Sequence, residues 1–439
     1  MPVRLLIILY LFATLLPLCS AWLQGLAPRS IADELASGAG SLALAVILAE
    51  FVLLGRYRFV TRRAGTDIVM RMHQLLARSA AVLAVIHPFF YTTRRAPAPD
   101  WDVSRQFSVT HDFSAIWPGI IAWLLLPTLV LMAIGRNALA YRYETWRLVH
   151  GLGAALIAVF GVLHALRAGR YSADPVMVYV WLVLLGGVLF AFAYVYVLTP
   201  AAQLRRPWRV AAVRPIAKKT WEVTLRPERD TAFHYRAGQF AWLNLGHNPF
   251  SLQENPFSIS SSPASGSEVG FIIKEQGDFT RTIGQVQPGS RAYLDGPHGH
   301  LTIKDHPAPG IALIAGGVGI APLLSILRDL RATRDTRPTT LLYGNRSEDQ
   351  IVYPDELESL ARDHGTHLIH VLSEPPEDWS GETGMVSPDL LRAEFGGEEH
   401  KHWLYVLCGP PAMIESIENT LMALGVPSGK ILSERFSYD

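Results

Sequence analysis

A membrane-embedded all-α six-helix bundle, followed by an antiparallel β-barrel and an α/β Rossmann-like domain, is the fold class this sequence predicts. Three observations predict it. The first 200 residues are mostly apolar runs of bilayer-crossing length, with arginines in the gaps. Beyond Thr199-Pro200 the apolar runs shorten to strand length and are bounded by Gly, Pro and polar residues. From Gly310 the rhythm becomes strand, glycine-rich turn, helix, strand. With 439 residues, half of them hydrophobic, and a mean hydropathy of +0.21, the chain is too apolar for an ordinary soluble enzyme and long enough for three domains. The expected boundaries are 1–200 for the spans, 205–305 for the barrel and 306–439 for the α/β part.

The six expected spans are Leu5–Leu23, Ala36–Leu54, Gln74–Phe90, Ile116–Ile134, Leu148–Leu166 and Val176–Leu198. The first resembles a signal peptide in composition, with Cys19-Ser20-Ala21 near a potential cut, but six retained spans fit the charge pattern better. Arg56, Arg58, Arg62, Arg63 and Arg71 lie between spans two and three, and Arg136, Arg142 and Arg147 between four and five. Such clusters face the cytoplasm, which puts both termini and the C-terminal module on that side of a bacterial inner or plasma membrane. Glu50, near the end of span two, reads either as a functional intramembrane carboxylate or as an interfacial residue beside Arg56. A net charge of +1 gives no argument for nucleic-acid binding, and two cysteines, Cys19 and Cys408, build neither a disulfide framework nor a cysteine-rich metal site.

The segments Met72–Pro88 and Val149–Ala165, at spans three and five, each carry two histidines, His73 with His87 and His150 with His164, both 14 residues apart. On a helix, 14 steps return to within about 40° of the starting direction and climb roughly 21 Å. A lone intramembrane histidine is more often a satisfied polar group, but one interval repeated on two helices points to two b-type haems, each held by one histidine from each helix. Spans three and five run in the same direction, so His73 is level with His150 on the cytoplasmic side and His87 with His164 on the far side. Arg71, Arg78, Arg147 and Arg167 are candidates for the haem propionates, or snorkelling interfacial side chains. His111, Arg94, Arg95 and Arg167 are candidates for an outer site.

In the C-terminal part, Gly316-Gly317-Val318-Gly319-Ile320-Ala321-Pro322 follows an apolar strand and opens a helix, a context suited to a pyrophosphate. Asn255-Pro256-Phe257-Ser258-Ile259-Ser260 starts a barrel strand, with a ring that can pack on a flat partner and hydroxyls that can bond a flavin. Gly277-Asp278-Phe279-Thr280-Arg281 offers a turn suited to a diphosphate, and Asp295-Gly296-Pro297 closes the barrel. Arg346, in Tyr343-Gly344-Asn345-Arg346-Ser347, could pair with a 2′-phosphate.

Together with Cys408-Gly409-Pro410-Pro411 and the near-terminal Phe436, these marks resemble the ferric reductase and NADPH oxidase superfamily. That superfamily joins a six-span, two-haem domain to a module like ferredoxin–NADP reductase, and the last 230 or so residues resemble that module. The resemblance implies FAD, two haem b and NADPH (or NADH) as cofactors. It places Ser258 near the isoalloxazine, Thr280 at the FAD pyrophosphate and Cys408 beside the nicotinamide. Phe436 would stack on the flavin, although Ser437, Tyr438 and Asp439 follow it, and Asn255 stands where the family often has His or Arg. The implied activity is electron transfer from NAD(P)H to oxygen or a ferric chelate across a lipid bilayer. A haem electron shuttle to a periplasmic electron-acceptor protein is the alternative.

Overall fold

The computed structural model of the chain describes residues 3–97, 100, 107–110, 112–139, 142–229 and 233–435. It forms two compact units, Met1–Arg63 with Ile68–Thr199, and Ala64–Asp67 with Pro200–Asp439.

The first unit holds the six long helices: α1 (Val3–Leu23), α2 (Ile31–Leu53), α3 (Thr66–Ile86), α4 (Phe113–Ile134), α5 (Tyr143–Ala168) and α6 (Pro175–Ala193). All six are long and apolar enough to cross a membrane. Side-chain caps start three of them. Ser30 accepts from the Asp33 N–H ahead of α2, Asp112 from Ser114 ahead of α4, and Asp174 from Val176 ahead of α6 with Pro175 at the first helical position. Helix α3 begins well before the expected Gln74, so Arg71 and His73 lie inside it. A fully buried seam of Leu48, Met177 and Trp181 joins α2 to α6, and the Trp181 indole donates to the Ser172 hydroxyl at 2.9 Å. Ile8, Phe12, Leu124 and Val183 face outward, as lipid-facing side chains do.

The second unit begins with an antiparallel sheet of β1 (Trp208–Ala217), β2 (Thr220–Pro227), β3 (Phe240–Leu245), β4 (Asn255–Ser258), β5 (Val269–Lys274) and β6 (Arg291–His298), ordered β4-β3-β6-β1-β2-β5. An antiparallel bridge from Ile259 to Phe271 joins the two edges and closes the barrel around Val223, Leu243, Ile259 and Phe271. The second sheet is parallel throughout. Its strands are β7 (Ile311–Gly316), β8 (Thr339–Asn345), β9 (His367–Leu372), β10 (Glu382–Thr383), β11 (Leu404–Gly409) and β12 (Ile431–Arg435), ordered β10-β9-β8-β7-β11-β12. Its helices include α7 (Ile320–Thr333), α8 (Pro354–His364), α9 (Pro388–Phe395) and α10 (Pro411–Ala423). Strands β10 and β12 were not expected from the sequence. Chain order reverses at β7, between β8 and β11, which makes the carboxyl ends of β7 and β11 the place for a ligand. Arg328 of α7 ties the two sheets together. It donates to the Ser260 carbonyl at 3.0 Å and grips Glu356 with two bonds of 2.8 and 2.6 Å.

Candidate electron-transfer site

The histidines meet in pairs. His73 and His150 have ring centroids 6.2 Å apart, and His87 and His164 6.5 Å apart. Two imidazoles sharing one metal ion, at about 2 Å per metal–nitrogen bond, have centroids about 6 Å apart, so each gap fits one metal ion. Among the described residues no group of three or more His, Cys, Asp or Glu gathers to hold a metal. Two protein ligands suffice when the metal brings its own equatorial ligands, as haem iron does. The Nδ1 atom of His150 is buried without a hydrogen-bond partner among the described residues, and the His164 ring lies against the Ala115 backbone.

Glycines make room at the outer pair. A Cβ on Gly119 of α4 would lie 2.5 Å from His164 Nδ1, and one on Gly40 of α2 3.3 Å from the His87 ring. Neither was singled out from the sequence, although a glycine inside an apolar span signals close packing. His87 opens a 3-10 turn at the end of α3, just ahead of Pro88. His73 bonds Glu50 at 2.9 Å, and Glu50 is only 4% exposed. Of the two readings of Glu50 from the sequence, the structure therefore supports an intramembrane carboxylate engaged with a candidate ligand.

Among the arginines, Arg167 donates to the Ser114 carbonyl at 3.2 Å and Arg147 lies over the Tyr196 ring, while Arg78 is exposed. Thr110, Asp112, Ser114, Ala115 and Arg167 line an open pocket of about 460 Å³ at the start of α4. His111, named as a candidate for an outer site, lies outside the described residues, as does Phe436.

In the barrel, Asn255 and Pro256 pair with Leu243 and Trp242 of β3. Ser258 and Ser260 are buried, and their hydroxyl oxygens lack a partner among the described residues. A buried hydroxyl without a partner is costly, so the pair fits a bound group that supplies one, such as a flavin. Ile259, between them, points into the barrel core. Phe257 stacks on Phe279 with centroids 6.1 Å apart. The Thr280 hydroxyl oxygen accepts from the Gln276 and Gly277 N–H groups at 2.8 and 2.9 Å, so it organises the turn expected to meet a diphosphate.

At the second sheet, Gly316, Gly317 and Gly319 end β7 and lead into α7, with Pro322 buried in its first turn. A Cβ on Gly319 would stand 2.1 Å from the Cys408 carbonyl oxygen, and one on Gly409 3.0 Å from Gly316 N. The β7 and β11 turns touch backbone to backbone at the switch point, with Pro410 ahead of α10. Arg346, at the end of β8, pairs with the exposed Glu374 at 2.8 Å.

Cys408 is fully buried, and burial, with Glu434 adding to it, pushes its thiol well above the usual range. Glu434 is the register partner of Cys408 on β12, 2% exposed, and its carboxylate comes within 3.5 Å of a Cβ placed on Gly299. It was missed because β12 was missed; its signal is one acid inside the short apolar run Ile431-Leu432-Ser433-Glu434. The raised thiol pKa has a sign. The unfolded thiol ionises from about pH 8.5 while the folded one keeps its proton, so this contribution to stability is whole below that pH and is lost as pH rises above it. Native protein at about pH 9 is accordingly expected to resist iodoacetamide at Cys408 until denaturant is added, as peptide mapping would show.

Three protein families match the chain: a ferric reductase like transmembrane component over residues 39–161, an FAD-binding domain over 207–303 and an oxidoreductase NAD-binding domain over 313–419. The reductase component of propane 2-monooxygenase from Mycolicibacterium smegmatis is 31% identical over 238 residues, 52% of this chain and 67% of that protein. NADH-cytochrome b5 reductase 1 from Lodderomyces elongisporus is 35% identical over 163 residues, 36% of this chain and 54% of that protein. The matched segment thus spans between about half and two thirds of these curated relatives. Among solved structures, an Amycolatopsis cytochrome P450 reductase shares 25% identity over 53% of this chain and 70% of its own, with a TM-score of 0.47. The cytochrome b5 reductase domain of Ulva prolifera nitrate reductase shares 20% over 53% and 98%, with a TM-score of 0.46.

Six apolar helices joined to a flavin-binding barrel and a nicotinamide-binding α/β sheet define an integral membrane flavo-oxidoreductase. The chain joins a ferric reductase like transmembrane domain to FAD- and NAD-binding domains, the architecture of the ferric reductase and NADPH oxidase type.

Proposed function

We propose that this chain is a flavocytochrome that carries electrons from cytoplasmic NAD(P)H across the membrane, by means of FAD and two b-type haems, to oxygen or a ferric chelate on the far side. The observation that carries this reading is the two imidazole pairs at metal-bridging separation, on the same two helices and 14 residues apart along each. The arginine bias of the loops supports a cytoplasmic C-terminal unit in a bacterial inner or plasma membrane.

When bound, FAD supplies the change from two-electron hydride chemistry to single electrons, and haem supplies a one-electron relay. The chain's own residues bind, orient and seal. His73 with His150, and His87 with His164, would each hold one haem iron between two imidazoles, a ligand set that would supply electron transfer. Ser258 and Ser260 would satisfy their buried hydroxyls on the flavin. Gly316, Gly317 and Gly319 let a pyrophosphate reach the backbone N–H groups that open α7. Cys408 keeps its proton, so it shapes the nicotinamide pocket without acting as a nucleophile.

Arg346 favours a 2′-phosphate, but its partner Glu374 repels one and can accept from a 2′-hydroxyl. Glu374 thus supports use of NADH beside NADPH. Glu374→Gln is expected to raise the NADPH-to-NADH ratio of kcat/KM about tenfold, the size of one surface-exposed like-charge term of about 1.4 kcal/mol.

The deciding experiment gives purified protein NADH or NADPH and measures superoxide and ferrous iron separately, after recording the absorption spectrum. A missing Soret band sinks the haem reading. Superoxide without ferrous iron assigns oxygen as acceptor, the reverse assigns a ferric chelate, and activity only on adding a periplasmic protein assigns a shuttle. Ser258→Ala should lower flavin content; unchanged flavin content and reduction would remove Ser258 from the site.

A further inference from the structure

The two imidazole pairs differ in how they are anchored. His87 Nδ1 is held by the Ala84 carbonyl of its own helix at 2.6 Å. His73 Nδ1 is held at 2.9 Å by Glu50 Oε2, and the Tyr10 hydroxyl donates to Glu50 Oε1 at 2.8 Å. Of the other members, His150 has no partner for Nδ1 among the described residues, while His164 meets the Ala115 backbone. The contrast between the pairs is therefore a carboxylate on His73 against a peptide carbonyl on His87. Three helices build the first arrangement: α1 brings Tyr10, α2 brings Glu50 and α3 brings His73.

Placing a carboxylate 4% exposed among apolar helices costs several kcal/mol unless its oxygens are satisfied. Here each oxygen has one hydrogen-bond partner, Tyr10 on Oε1 and His73 on Oε2. With Nδ1 carrying the proton toward Glu50, the lone pair of His73 sits on Nε2, the nitrogen left for a metal. A carboxylate on the far nitrogen orients the ring and raises the basicity of the coordinating one, a device general to histidine metal sites. A more basic ligand beside a negative charge stabilises ferric iron over ferrous iron.

We propose that Glu50, backed by Tyr10, is a positioning residue that fixes the ring of His73 and lowers the reduction potential of the site formed with His150 below that of the site formed by His87 and His164. The inference rests on the two-haem reading above. The step it biases is a one-electron exchange between two otherwise similar sites. The site of His73 and His150 is oxidised by one electron and the site of His87 and His164 reduced by the same electron, with no atom or proton transferred. The Tyr10–Glu50–His73 chain thereby sets the direction of flow along the two helices.

The test is a potentiometric titration of detergent-purified holoprotein followed in the visible haem bands, with electron paramagnetic resonance of the low-spin ferric signals. In Glu50→Gln one of the two midpoint potentials is expected to rise by at least the equivalent of tenfold in the equilibrium constant, about 59 mV for a one-electron couple. The other is expected to stay in place, and one ferric signal to move with the first. Tyr10→Phe removes a donor that competes for the carboxylate and is expected to shift the same potential downward. Glu50→Gln protein with two haems and both potentials unmoved, or both moved equally, overturns the inference while leaving the two-haem reading intact. Wild-type protein without haem overturns both. If Glu50→Gln does not assemble, Tyr10→Phe decides, and an unmoved or raised potential there overturns the inference.

Discussion

Alanine at His73 and alanine at His150 are each expected to remove the same haem, leaving one per chain of the two proposed. Alanine at His87 or at His164 should remove the other. The reason is geometric: centroids 6.2 and 6.5 Å apart leave room for one metal ion between the rings of each pair, and an axial ligand cannot be replaced by a methyl group. Far-side acceptor reduction should fall by more than about 100-fold in all four variants, beyond the 10- to 100-fold typical for losing a mere supporting group. Flavin reduction by NAD(P)H should continue, since those residues lie in the other unit. Haem per chain, measured as the pyridine complex, and the low-temperature visible bands are the readouts. Different bands lost from His73→Ala and His150→Ala would refute the pairing.

The second large effect is expected at Gly319. Its added Cβ would stand 2.1 Å from the Cys408 carbonyl oxygen and 2.9 Å from Gly409 N. Both are backbone atoms at the end of β11, held between β7 and β12, so relief requires separating the two turns of the nucleotide site. Gly319→Ala is expected to cost about 2–4 kcal/mol by the overpacking mechanism and to abolish NAD(P)H-driven flavin reduction. Gly317 is the control. It has φ +53 and nothing within 4 Å of an added Cβ, so alanine there meets only the left-handed backbone penalty of about 1–2 kcal/mol. Chemical denaturation of the second unit separates the two; flavin reduction does not, because Gly317 also belongs to the turn assigned to the pyrophosphate. Equal effects at the two glycines would show that contact with Cys408 is not what constrains Gly319.

Much of this was legible along the chain. Spans are legible because a bilayer demands about 20 consecutive apolar residues and nothing else in the sequence satisfies that. The histidine pairs are legible because both members of each repeat sit on one helix, where periodicity converts spacing into direction. The barrel strands and the β7 turn are legible because Gly and Pro punctuate them. Strand β12 was not, because Ile431–Arg435 has too few residues to show a period, and its place beside β11 is a long-range pairing. With it went Glu434. Glu50 is ambiguous in the sequence, since nothing local distinguishes a carboxylate near a helix end that meets lipid headgroups from one that meets a histidine.

By itself the sequence determined the membrane class, the three-part order of the chain, the two-by-two set of histidines and the glycine turn of the nucleotide sheet. All of these are periodic or contiguous signals, carried by residues within a few turns of one another. Only the tertiary structure decided which groups lie against those residues: Glu50 and Tyr10 against His73, Gly119 against His164, Cys408 against Gly319, Glu434 beside Cys408. The physical reason is that helix and strand formation respond to local periodicity, while a hydrogen bond or a backbone contact between elements depends on packing among residues tens to hundreds of positions apart.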